Sequence, residues 1–230
     1  MKLNFSPFVV FIIGIILAFS NSLNRYDVIL VGEIHTDQND HKIQLELIKE
    51  LHRYDKKIII GMEMFQQPFQ KYLDDYIEGK ISEEELLEKT EYKKRWGFDF
   101  KYYRDILEFA RQNKIKVYAL NIPSEELRVI KDKGINNADS KFLPKPIPTL
   151  SENEIKELED VLKNHPQIKD KKAFFDIQLA WNYSMAYKIY HLKKENPDYT
   201  IVALVGKGHT EGIKRILNIL DRNLKVFIYN

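Results

Sequence analysis

Five short apolar runs, rich in β-branched residues and separated by segments with helical periodicity, constrain this chain more than any other feature. They are Val28 to Val31, Lys57 to Phe65, Lys116 to Asn121, Thr200 to Val205 and Lys225 to Tyr229. Runs of this kind, alternating with helices, are the pattern of strands buried on both faces of a parallel sheet. The expected class is α/β: a mainly parallel sheet flanked by helices. Right-handed crossovers bring the carboxyl ends of such strands to one edge, where open α/β sheets bind their ligands.

Four of the five runs end in groups suited to chemistry. The first leads into VILVGEIHTDQNDHKIQLE, which places Glu33, His35, Asp37 and His41 just past the strand, with Asp40 reading as the N-cap of an amphipathic helix. The second, KIIIGMEMF, carries Glu63 inside an apolar run, where a carboxylate needs a partner; a core ion pair satisfies that as well as a functional role does. Asn121 ends the third, followed by Ser124 as an expected N-cap. The fourth runs into GKGHTEGIKRILNIL, with His209 near a helix start and glycines at 206, 208 and 212 for close backbone approach. Gly32-x-x-His35 and Gly206-x-x-His209 repeat one local spelling, which suggests two imidazoles presented by similar turns.

Between the second and third runs, about residues 66–103 form a long excursion that reads as an inserted helical cap subdomain. Tyr72, Leu73, Tyr76 and Ile77 share a helical face, Gly79 ends that piece, and Ser82 with Glu85 spells a capping box. Trp96, Phe98, Phe100, Tyr102 and Tyr103 follow closely. Such a cluster suits cover for a flat apolar ligand, or it is the cap's own small core. Residues 134–148 are an irregular connector, and Ser151 with Glu154 opens another capped helix that ends before His165, read as a turn residue. In the long helix from Asp170 to Lys194, Phe174, Ile177, Trp181, Met185 and Ile189 form an apolar stripe, with Gln178 and Asn182 beside it.

The 36 basic and 34 acidic side chains nearly cancel, so no global field draws the chain to nucleic acid. With no cysteine, a metal or haem must be held by His, Tyr, Met or carboxylates. Residues 1–20 have the layout of a signal peptide: Lys2, then an apolar run from Phe8 to Phe19, then Ser20. The run is short of the roughly 20 residues of a spanning helix. Cleavage after Ser20 is the expectation, and membrane association through an uncleaved N-terminal anchor the alternative; both imply export. Residues 21–230 are then a single domain.

Two chemistries fit the strand ends. Glu33, His35, Glu63 and His209 could ligate a divalent ion whose bound water hydrolyses an ester or peptide. Alternatively, the edge and its aromatic cap hold haem, whose iron takes His or Tyr and whose faces want apolar cover. A flat ligand on one small protomer leaves a face to cover, hence an expected homodimer. No G-x-S-x-G elbow or P-loop is present.

The blocks VGEIHTDQNDH, GMEMFQQP, KRWGFDFKYYRDILEFAR, ALNIPSE, QLAWNYSMA and VGKGHTEGI, in this order, resemble the ChaN-like haem-binding uptake proteins of the Tiki superfamily. The resemblance runs from Tyr26 to Asn230 and implies an exported, periplasmic or membrane-anchored bacterial protein that binds haem in iron acquisition. Wider relatives include metal-dependent proteases, and erythromycin-esterase-like enzymes share the acidic and histidine motifs. Glu33, His35, His41, Glu63, Asn121, Gln178 and His209 match the recurring positions of the family. Asn182 stands where the family pattern has Asp, and the lipoprotein cysteine is absent. The resemblance leaves the haem ligand open among Tyr72, Tyr76, Tyr102, Tyr103 and His52, with Trp96 as ring cover.

Overall fold

The computed structural model describes residue 23 and residues 25–54 and 57–230. The expected signal or anchor at residues 1–20 lies outside the described residues. Among these, five strands form one parallel sheet: β1 (Val28–Glu33), β2 (Ile58–Gln66), β3 (Val117–Asn121), β4 (Thr200–Gly206) and β5 (Val226–Tyr229). Their spatial order is β3-β2-β4-β1-β5, and every pairing is parallel. The chain is thus α/β, as the alternation of apolar runs and helical segments requires.

Side chains alternate across the sheet and bury on both faces. Ile29, Val31, Ile58, Ile60, Met62, Val202 and Leu204 point to the first face. There they meet α1 (Gln38–Arg53), α2 (Gln70–Ile77), α3 (Glu83–Lys89), α4 (Tyr92–Arg95) and α5 (Lys101–Gln112). Val28, Leu30, Ile59, Ile201, Ala203 and Val205 point to the second face. They pack on α6 (Ser124–Lys133), α8 (Lys171–Glu195) and α9 (Thr210–Leu220), while α7 (Glu152–Asn164) leans on α8 from outside. Each Ile or Leu buried in this way contributes about 1.5–3 kcal/mol. The aromatic rings of the excursion after β2 join this main core: Tyr92, Phe100 and Tyr103 are buried in one cluster with the strands of the first face.

β1 passes the chain to α1 over the first face, whereas β4 passes it to α9 over the second. Because β1 and β4 are neighbours, their carboxyl ends lie where the two crossovers part, the position at which open α/β sheets bind ligands.

The capping boxes read from sequence form at Ser82/Glu85 and Ser151/Glu154. Two other caps differ. Asp37, not Asp40, caps α1 by accepting from Asn39 N–H, and Pro123, not Ser124, occupies the cap of α6. Both displaced side chains serve tertiary contacts: Asp40 accepts from Ile34 N–H at 2.8 Å, and the Ser124 hydroxyl accepts from Gln66 at 2.7 Å. On α8 the buried face is set by Leu179, Ala180, Tyr183, Ala186 and Leu192 as well as Met185 and Ile189; Phe174, Ile177 and Trp181 are only half-buried.

β3 lies at one margin of the sheet, where its outward backbone groups are met by a glutamine that follows β2: the Gln70 amide accepts from Ala119 N–H and donates to Val117 O, both at 2.8 Å. That side chain stands in for a neighbouring strand, while Gln67 donates to Leu120 O at 2.8 Å on the β2 side, where the β2–β3 register breaks.

Candidate functional site

Strand alternation puts Glu33 on the first face and Glu63 on the second, with the carboxyl ends of β1 and β4 between them. Glu33 is 2% exposed and is fully engaged. Its Oε1 accepts from the Tyr103 hydroxyl at 2.6 Å and lies 2.8 Å from His35 Nδ1, while Oε2 accepts from Gln44 at 2.8 Å. A buried carboxylate survives only with such a set of donors. Gln44 also faces His41 Nδ1 at 3.2 Å, and His41 Nε2 lies 3.2 Å from His35 O.

On the second face Glu63 accepts from Gly206 N–H at 2.7 Å, taking over where the β2–β4 ladder stops. Its other oxygen is 3.4 Å from His209 Nε2. His209 Nδ1 donates to Asn182 at 2.7 Å, and Trp181 packs edge-on against the ring. Gly212 makes this possible, because a Cβ there would collide with the Asn182 amide. Lys207 and Asp40, 3.0 Å apart, tie the β4 turn to the β1 turn.

The two halves meet at Gly206. A Cβ there would lie 3.1 Å from His35 Cε1 and 3.5 Å from His209 Cδ2, so the glycine lets both rings approach one strand end. Each ring has its Nδ1 on a protein acceptor, which directs its Nε2 elsewhere. Burial alone would lower the pKa of His35, but the hydrogen bond to Glu33 and the charges of Glu63 and Glu33 outweigh it and raise the pKa above 6.5. Trp96 and Phe98 flank the His35 ring, with centroids at 4.7 and 4.8 Å.

The divalent-ion reading finds no support here. Among the described residues no group of three or more His, Cys, Asp or Glu side chains is placed to hold a metal ion. The physical reason is that Glu33 spends both oxygens, Glu63 one oxygen and each histidine its Nδ1 on protein partners, with the carboxylates on opposite faces of the sheet.

The remaining candidates are dispersed. Asn121 is buried at the end of β3, beyond β2 from the histidines, with its Oδ1 unpartnered. Gln178 is half-buried on α8. Tyr76 and Tyr103 are fully buried and donate to Glu108 and Glu33 at 2.6 Å. Burial, then the carboxylates, raise both phenols far above the ordinary value. Tyr72 and Tyr102 are half-buried, with no hydroxyl hydrogen bond among the described residues. Tyr72 stacks on Phe69, and Tyr102 stacks on His41 with centroids at 5.0 Å. His52 sits at the opposite, amino-terminal edge of the sheet. Sequence reasoning missed Gln44; its signal was its place one helical turn after His41.

The profile of the haem-binding uptake family, Tiki superfamily, ChaN, matches residues 19–217. A solved structure of cofacial heme binding to ChaN of Campylobacter jejuni superposes with TM-score 0.70 at 20% identity, covering 92% of this chain and 83% of that one. A Bacillus cereus protein superposes with TM-score 0.51 at 15% identity, covering 92% and 67%. No curated protein matches the chain. These likenesses share the fold, and the profile match over most of the sequence places the chain in the ChaN haem-binding uptake family of the Tiki superfamily.

Proposed function

We propose that this protein binds haem in the cleft between α1 and α5, with Tyr102 as the axial ligand, and serves haem uptake or sequestration after export. The observation that carries the reading is the state of Tyr102: a half-buried phenol with no hydrogen bond among the described residues, stacked on His41. The buried phenols of Tyr76 and Tyr103 are committed to carboxylates. Haem iron accepts a phenolate or imidazole and is held by apolar cover on its faces. Leu45 and Ile106 line the cleft as apolar wall, and Lys42 at its mouth would receive a haem carboxylate, with Lys101 held by Asp99 at 3.1 Å beside it. The cleft has a volume of about 190 Å³, below the roughly 300–1,000 Å³ of a pocket that encloses a small molecule. It covers one face of haem, and we propose that a second copy of the chain, with or without a second haem, covers the other. Cofacial heme binding to the Campylobacter jejuni ChaN supports this reading.

Haem titration followed by the Soret and charge-transfer bands tests the proposal. The expected result is saturable binding that loses its phenolate charge-transfer band and weakens roughly tenfold or more, about 1.4 kcal/mol, in Tyr102→Phe but not in Tyr72→Phe. Saturable binding unchanged in Tyr102→Phe would remove Tyr102 as ligand. Unsaturable binding would remove the haem reading itself.

A second reading is favoured by the half-buried His35, whose Nδ1 is held by Glu33 while its Nε2 lies beside Gly206, and whose raised pKa suits a general acid in ester or peptide hydrolysis. Turnover of an activated ester that is lost in His35→Ala, with haem titration unchanged, would establish it. No turnover by the unaltered chain would end it.

A further inference from the structure

We infer that the amino-terminal edge of the sheet is a docking surface for an anionic lipid bilayer, which holds the histidine-bearing edge away from the membrane. This surface is distinct from the haem cleft and does not depend on it.

The chain is nearly neutral overall; at this edge Asp27 is paired with Lys193, and the part beside β2 and β3 is basic. Lys57 precedes β2 and Lys116 precedes β3, while Arg111 and Lys114 close α5 beside them. Two adjoining clefts, of about 270 and 710 Å³, share Lys114 and Lys116 in their walls. Both lysines are exposed and form no ion pair among the described residues. Lys57 reaches Asp198 only at 4.0 Å, with both side chains largely in solvent. Of the acids of the larger cleft, Glu78 is paired with Lys80, while Asp74 accepts from the Gln70 amide and keeps its charge against Arg111, Lys114 and Lys116. Lys114 stands at φ 53°, in the left-handed conformation that follows a helix end and that favours glycine.

The chain enters at the same edge. Leu23 is fully buried in the core cluster that holds Ile58 and Ile115, and its carbonyl accepts from Tyr26 N–H. Tyr26 O in turn accepts from the Thr200 hydroxyl at the start of β4. β1 is two strand spacings from β2, about 10 Å. The described chain therefore begins at the basic edge, so a bilayer docked there would face the point at which the preceding sequence joins the fold. Tyr26 and Tyr199 lie half-buried on this edge with Arg25 and Lys57 over their rings, the amphipathic aromatics that bilayer interfaces favour. The seven residues of β4 then hold His209 roughly 20 Å from the headgroups.

The test uses the full chain and vesicles of phosphatidylcholine alone or with phosphatidylglycerol. Neutralising Lys57, Lys114 and Lys116 together (Lys57→Gln, Lys114→Gln, Lys116→Gln) should lower partitioning onto the anionic vesicles about a hundredfold, roughly fivefold per lysine, and leave partitioning onto the neutral vesicles unchanged. As a second readout, anionic vesicles should protect Lys114 and Lys116 of the unaltered chain from acylation while Lys156 and Lys163 of α7 stay reactive. Equal partitioning of variant and unaltered chain, equal reactivity of all four lysines, or duplex DNA matching the anionic vesicles in affinity would each overturn the proposal.

Discussion

Asn182 accepts the Nδ1–H of His209 at 2.7 Å across a helix contact that exists only because residue 212 is glycine. The amide of α8 thus fixes an imidazole at the start of α9, and the pair depends on a missing methyl group. Gly212→Ala should push the two helices apart and destabilise the protein by about 1–3 kcal/mol in urea unfolding. Gly208, with open space around its Cα, is the control: Gly208→Ala should stay within about 0.5 kcal/mol.

Removing one donor from a buried carboxylate has a cost of its own. Tyr103→Phe keeps the ring in the core but leaves Glu33 with only His35 and Gln44. A loss of about 1.5–3 kcal/mol is expected, because the acceptor is charged and buried. Equilibrium unfolding of the variant measures it, and a change below about 0.5 kcal/mol would show that Glu33 is not held as described.

His35 gives stability a pH dependence of known sign. Its folded pKa lies above the unfolded 6.5, so its contribution is whole below that pH and is lost as the pH rises through the raised value. Between about pH 6 and 9, the unaltered protein should lose more stability than His35→Gln. Parallel curves for the two proteins would contradict the ion pair with Glu33.

Arg95 acts at the acid end of the scale. It binds Glu125 with two nitrogens, donates to Gln66 and lies over the Phe69 ring, joining α4 to α6. Its hydrogen bonds hold the Glu125 carboxyl down to about 2. That contribution is complete above the unfolded value of about 4.5 and disappears as the pH falls through 2. Arg95→Met should therefore be less stable than the unaltered protein at about pH 6, with the gap narrowing toward about pH 2. Acid titration followed by circular dichroism would show whether it narrows.

The strands were legible in the sequence because β-branched runs such as IVALV have few other fates. The capping boxes were legible because their spacing is local. The Asp37 cap was not, since DQND offers two aspartates one helical turn apart and the choice fell to Lys207, which draws Asp40 away from 167 positions further on. Glu33, His35, Glu63 and His209 were found by their places at strand ends, and the structure does gather them around Gly206. Their bonding was not legible, because Gln44, Tyr103 and Asn182 reach them only through the packing of three helices. The same packing saturates the carboxylates and denies the four residues a common ligand geometry.

The glutamine beside β3 bears on how copies of this chain can assemble. With Gln70 occupying Val117 O and Ala119 N, the middle of that margin is closed to an incoming strand. The opposite margin is β5, only four residues long. Growth of a continuous sheet from one molecule into the next is thereby discouraged, which favours side-chain contacts over strand pairing wherever copies of this chain meet.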